Sequence, residues 1–396
     1  MNPIAIYTLT SELHDPQAVA DSTRAFLDGL AVDHDFRDAD YSDYGDHVLD
    51  LIFVRTGGTE GIFRRLLPTL PIDRPFRLLT SGTSNSLAAS MEILSYLRQQ
   101  GLQGEIIHGS NAYVRSRLAR LQSLYAAERS LRGSRLAIVG QPSDWLISST
   151  FDREAVAKRL GIELLDIPMQ ELLDAIAATP LQPSALQAPS ETVACSLPGA
   201  EQVERALRSL VSRYSLQGLT LRCFDLLTAV HNTGCLALAR LNADGIVAGC
   251  EGDVPAMLTM RIVQALTGFT GFQANPSSVD PETGQVVFAH CTIPLNMVSR
   301  YELDTHFESG IGVAIRGFRE PGPVTVCKVS GDFSRHFVAE GQLLRCEAKP
   351  NLCRTQQVIQ LADPSQIRYF LTTPIGNHHV IVPGHCKALL DEFLTA

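Results

Sequence analysis

Along the first 130 residues, apolar positions alternate between short continuous runs and stripes with helical spacing. Residues 4–9 read as a buried strand, and 16–30 carry a helical stripe. The run at 50–55 (D-L-I-F-V-R) breaks into Thr56-Gly-Gly-Thr-Glu-Gly61 and then an amphipathic helix to Leu67. The run at 76–80 breaks in the same way into Ser81-Gly-Thr-Ser-Asn-Ser86, followed by a helix over 87–97. A further strand at 104–108 and a helix at 111–129 complete the series. Strand and helix in strict alternation predict a parallel sheet covered by helices.

The pattern restarts at 134–140 (S-R-L-A-I-V-G). A helix at 152–160, a strand at 162–167 and a helix at 169–178 follow. Residues 179–198, rich in Pro, Ser, Gln and Ala, read as a connection. Beyond it come a helix at 201–212, strands at 219–226, 235–240 and 246–250, and a helix at 254–266. After Gly271 the texture changes. Strand-like runs recur at 286–293, 311–315, 324–329, 342–347, 356–361 and 368–373, punctuated by Gly and Pro, with a closing helix at 386–394. The expected class is α/β plus β: two Rossmann-like α/β domains, 1–130 and 131–270, and an antiparallel β-barrel-like domain, 271–396.

With 396 residues, the chain is too long for one ordinary core. A formal net charge of −9 argues against wholesale binding to nucleic acid or anionic membrane. No apolar run approaches the length of a membrane span, and the first residues lack the basic start of a secretory leader. Nine cysteines, none in a C-x-x-C pair, read as free buried thiols of a cytoplasmic protein.

The candidate chemistry gathers late in the chain. Six of the eleven histidines (His290, His306, His336, His378, His379 and His385) lie after position 289. Glu251 ends the apolar run 245–250, where a buried strand gives way to a helix, the place where open α/β sheets carry their chemistry. Asp253, directly before the helix, suits the plainer role of N-cap. His290 also ends a strand-like run; its plain alternative is a strand histidine bonded to a carbonyl. His378 and His379 are adjacent, so in a strand only one of them can face a given site. One carboxylate and histidines at the ends of different strands are raw material for a metal or acid–base centre. Thr56, Gly57 and Gly58, together with Ser84 and Asn85, offer backbone amides and hydroxyls suited to a polyol. The same residues also make ordinary βα turns and caps. His306 and His385 are further candidates for substrate contact.

These residues carry a resemblance. Cys250-Glu251-Gly-Asp253 before a helix, Phe272-Gln-Ala-Asn275, Ala289-His290, Gly376-Asn-His-His-Val380 and Gly384-His385 resemble the L-fucose isomerase / L-arabinose isomerase superfamily. The likeness is strongest over the last 160 or so residues. It implies an aldose–ketose isomerase acting on a small-molecule sugar, with a divalent metal, manganese by preference, and a homo-oligomer whose neighbouring subunits share active sites. Glu251 falls at the first family carboxylate, a metal ligand and acid–base group. His290 and His378 fall at the family's histidine ligands. The second family carboxylate falls at Asn275, which is neutral and cannot be a base. Asp253 and Asp280 are the nearby substitutes. The departure leaves two other readings open: different carbonyl chemistry on a sugar or sugar acid, and a non-catalytic sugar-binding protein.

Overall fold

The first sheet is parallel throughout, and its three central strands are short runs buried along most of their length. The computed structural model describes residues 4–395. Strands β1 (Ile4–Leu9), β2 (Asp35–Asp38), β3 (Leu49–Val54), β4 (Phe76–Leu79) and β5 (Gly104–Ile107) stand in the order β2-β1-β3-β4-β5. Every residue of β1 is buried, as expected of a strand covered on both faces. The order reverses between β1 and β3, and the crevice beyond such a reversal is where open α/β sheets bind ligands. The segments following those two strands meet there, Ser11 N–H donating to Thr56 Oγ1 at 3.0 Å. This unit ends at Ala126, and a second compact unit begins at Ala127.

The second unit contains both remaining layers. Strands β6 (Arg135–Val139), β7 (Glu163–Ile167), β8 (Gly218–Leu221) and β9 (Val247–Cys250) form a parallel sheet ordered β7-β6-β8-β9. The rest of the chain is mainly antiparallel. Strands β10 (Phe272–Asp280) and β11 (Gln285–His290) form part of a closed barrel. Strands β12 (Arg300–Asp304) and β13 (Ala314–Phe318) pair with each other as a separate ribbon. The barrel is completed by β14 (Gly322–Val329), β15 (His336–Glu347), β16 (Thr355–Leu361) and β17 (His379–Pro383), in the order β10-β11-β16-β15-β14-β17. The parallel α/β layers and the closed antiparallel barrel match the fold class expected from the pattern. One core joins them: Val193, Leu197, Leu236 and Ala239 pack in the same apolar cluster as Phe272, Phe288 and Val326 of the barrel. The helix Val254–Thr267, buried almost end to end, is tied to the barrel where Val329 N–H donates to Thr259 Oγ1.

Several element assignments need correction. Residues 235–240 are not a strand but the start of the helix Cys235–Ala243. Every residue from Cys235 to Ala239 is buried, so the helix has no polar stripe and reads as a strand. The run at 219–226 is divided, β8 stopping at Leu221 and a short helix occupying Asp225–Ala229. The run at 368–373 belongs to the helix Ile367–Thr372. The supposed connection 179–198 turns helical at Glu191, with Ser190 as N-cap, and Pro198 lies inside that helix. Proline normally interrupts a helix, which is why the sequence suggested a break. Strands β2 and β12 carried no legible apolar run.

Candidate functional site

Strand β9 leads directly into the site. Glu251 follows it with φ +64°, a left-handed conformation rare for a residue with a side chain. Gly252 is left-handed as well, and a Cβ there would lie 2.4 Å from the Gln141 carbonyl oxygen. The glycine lets the chain turn sharply against the segment that follows β6. Asp253 then caps the buried helix, its Oδ1 accepting from Ala256 N–H at 2.8 Å. Strain of this kind is found where surrounding structure holds a side chain for a purpose.

Three barrel-edge and sheet-edge side chains converge on this turn. Glu251 Oε1 lies 3.4 Å from His378 Nε2 and 3.7 Å from His290 Nε2. Glu251 Oε2 accepts from the Trp145 indole N–H at 2.6 Å. The two imidazoles meet edge to face, with centroids 5.4 Å apart. Each of Glu251, His290 and His378 offers one ligand atom, and these atoms lie within 4.8 Å of one another.

A fourth side chain, Asp253, orients His378. Its Oδ2 accepts from His378 Nδ1 at 2.9 Å, with Ser149 Oγ at 3.5 Å and Lys328 Nζ at 3.7 Å. With Nδ1 donating, Nε2 is turned toward Glu251. His378 Nε2 is buried without a hydrogen-bond partner, and so is His290 Nδ1. A buried carboxylate and two imidazoles, with an outer carboxylate on one imidazole, make a donor set that fits a divalent transition metal. The same proximity shapes proton affinity. Burial opposes charge on Glu251, but His290 and His378 outweigh it and hold the carboxyl well below the usual range. Burial likewise opposes protonation of His378, yet the Asp253 carboxylate bonded to its Nδ1 and the Glu251 carboxylate beside its Nε2 push it up to about 9.

The remaining candidates divide by location. His306 is buried, its Nδ1 3.1 Å from Ser309 Oγ and its ring 5.5 Å from Phe224. Phe224 in turn meets Trp145 edge to face at 4.8 Å, so Trp145, Phe224 and His306 form an aromatic row beginning at Glu251. Asn275 is half-buried on β10, paired across the ladder with Ala289, the neighbour of His290. Its Oδ1 accepts from Asn377 Nδ2 at 2.9 Å. Asp280 ends β10 and is exposed, bonded to its own turn at Glu282 and Thr283. It supplies no second carboxylate to the cluster. His379 points the other way from His378, into the barrel, where Tyr369 O–H donates to its Nε2 at 3.0 Å. His385 lies past the opposite end of β17 from His378, 3.6 Å from Glu340. In the first unit, Gly57 N–H donates to the Ser84 carbonyl at 2.7 Å. Thr56 is buried, Gly58 has φ +77°, and Ser84 and Asn85 are left-handed at φ 52° and 58°. The two loops thus form one continuous rim.

Trp145, Phe224 and Lys328 were missed. Trp145 is the chain's single tryptophan and sits in a loop after a strand. Lys328 is the one charged residue of a mostly apolar strand. Either oddity could have drawn attention.

No family model matches the chain. The chain is similar to sulfoquinovose isomerases. That of Priestia aryabhattai is 23% identical over 285 residues, covering 66% of this chain and 63% of that protein. That of Clostridium sp. (strain MSTE9) is 26% identical over 275 residues, covering 64% and 59%. That of Alkalicoccus urumqiensis is 23% identical over 223 residues, covering 52% and 49%. The chain therefore spans less than two thirds of the length of these relatives. The likeness supports kinship with sugar isomerases and not with fucose isomerase in particular.

No helix among the described residues is long and apolar enough to cross a membrane. All nine cysteines are free; Cys195 is exposed and the others are buried or half-buried.

Proposed function

We propose that this chain is a sugar isomerase that interconverts an aldose and a ketose, with a divalent metal held by Glu251, His290 and His378. The observation that carries this reading is the convergence of those three donors with orphaned imidazole nitrogens beside a strained turn. When bound, the metal, manganese by the resemblance, supplies Lewis acidity to the sugar carbonyl. Glu251 moves the carbon-bound proton: its carboxylate takes it from C2 and delivers it to C1, while the O2 hydroxyl proton passes to O1 as the carbonyl shifts, and the Trp145 indole holds the carboxylate in place. Asp253 keeps the His378 ring oriented. Trp145, Phe224 and His306 give the sugar an apolar face to lie against. The rim of Thr56, Gly57, Gly58, Ser84 and Asn85 suits hydroxyl groups, and an oligomer in which it completes a neighbour's site follows the same resemblance. A small-molecule sugar is the partner, and the cytoplasm the compartment.

Asn275 favours a second reading. It provides no second base, and its amide is engaged by Asn377. Carbonyl chemistry that needs only one carboxylate fits the same residues.

The test is deuterium exchange at C2 on incubation with Mn²⁺ and a sugar panel in heavy water. Sulfoquinovose, the substrate named for the relatives, comes first, beside 6-deoxyhexoses and pentoses. Exchange that Glu251→Gln reduces by about 10²–10⁴-fold supports isomerisation. Exchange untouched by that substitution would assign the proton transfer elsewhere.

A further inference from the structure

The cluster does not stop at Asp253. Lys328 lies on the same face of β14 as Val324 and Val326, two residues of the barrel core, at the end of the strand. Only 1% of its surface is exposed. Its ammonium nitrogen has no hydrogen-bond partner and stands 3.7 Å from Asp253 Oδ2. That same oxygen accepts from His378 Nδ1. A fully buried ammonium is expensive to keep unless an opposite charge answers it. Here the answer is a carboxylate, itself wholly buried, whose other task is to orient a ligand histidine.

We infer that Lys328 is a positioning residue: by drawing on Asp253 from the barrel end, it fixes the carboxylate that aims His378 Nε2 at Glu251. Among the described residues, the ion pair of Lys328 is with Asp253 and not with Glu251. It acts through Asp253 alone. The inference rests on the metal reading only for its consequence, since the orientation of His378 can be measured without metal.

Two opposed effects make the test decisive. As a bare positive charge near a cation, the ammonium weakens metal binding, so its removal would tighten it. As a positioning group, its removal loosens His378 and weakens binding. Mn²⁺ titration can be followed by the fluorescence of the single tryptophan, Trp145, which touches Glu251. The four proteins are the native chain, Lys328→Met, Asp253→Asn and the double variant. Lys328→Met is expected to weaken Mn²⁺ binding about tenfold, in the range for loss of outer partners of metal ligands. In the Asp253→Asn background the same change should matter less than about twofold, because the connection is already cut. Equal effects in both backgrounds, no effect, or tighter binding overturns the inference. Imidazole ¹⁵N spectra of the metal-free proteins give the independent reading. The native chain should show His378 Nδ1 protonated and hydrogen-bonded, a signature lost in Lys328→Met. If the native chain binds no Mn²⁺, the proposed function fails, while this spectrum still decides the role of Lys328. Should Lys328→Met not fold, Lys328→Gln takes its place in the same cycle with the same expectations.

Discussion

The indole N–H of Trp145 donates to Glu251 Oε2 at 2.6 Å while half of the Trp145 residue stays exposed. The bond takes one carboxylate oxygen and leaves the other facing His290 and His378. Hydrogen bonds to charged acceptors are worth roughly 1.5–3 kcal/mol. Trp145→Phe keeps the ring against Phe224 and removes the donor. Turnover should fall about tenfold or more with the melting temperature little changed. Steady-state kinetics beside a thermal melt checks this, and unchanged turnover would separate Trp145 from the chemistry.

The adjacent histidines should have opposite phenotypes. His379 is held neutral inside the barrel, burial pushing it down to about 3. Its ring joins the Asn377 carbonyl to the Tyr369 hydroxyl. His379→Phe removes the acceptor of that hydroxyl, which keeps only the Ile375 N–H as partner, and the donor to the Asn377 carbonyl; it should destabilise the fold by about 1–3 kcal/mol while sparing Mn²⁺ affinity. His378→Phe should abolish Mn²⁺ binding. Denaturant melts and metal titrations on both variants test the division; metal loss in His379→Phe alone would reverse it.

Asn275→Asp puts a carboxylate where the resemblance expects one. The acceptor to Asn377 survives the change. A tenfold gain in Mn²⁺ affinity corresponds to about 1.4 kcal/mol, modest for an added charge near a divalent ion. Calorimetric titration measures it. Unaltered affinity means that Asn275 does not face the metal.

His306 sets a pH dependence. Burial lowers its proton affinity below the ordinary histidine value. The unfolded chain therefore takes up this proton first, near pH 6.5. Above that pH the group contributes no slope; as pH falls below it, stability is lost progressively. His306→Gln should flatten the fall of the melting temperature below about pH 6.5 relative to the native chain. Parallel pH curves for the two proteins would place the acid sensitivity elsewhere.

The sequence was most informative wherever a local rule decides the outcome. Buried strands flanked by Gly-rich turns announced the first sheet, because a parallel strand covered on both faces is an unbroken apolar run. Asp253 was legible as an N-cap from its position before Val254. Glu251, His290 and His378 stood out as polar residues at strand ends. Legibility failed where burial is complete on every side: the helix Cys235–Ala243 lacks the polar stripe that separates helix from strand. It failed again for Trp145 and Lys328, whose roles depend on partners far away in the chain, at Glu251 and Asp253.

Composition, periodicity and end-of-strand polar residues thus determined by themselves the layered α/β-plus-barrel class and a short list of chemical groups. Which of two neighbouring histidines enters the cluster was decided only by tertiary structure. Adjacent residues of a strand face opposite sides, and closure of the barrel turns His379 inward onto Tyr369 and leaves His378 facing Glu251 and Asp253. The alternation is local and visible in the chain. Its phase relative to the core is set by barrel pairing between β10, β14 and β17, segments separated by tens of residues, and no local pattern carries that information.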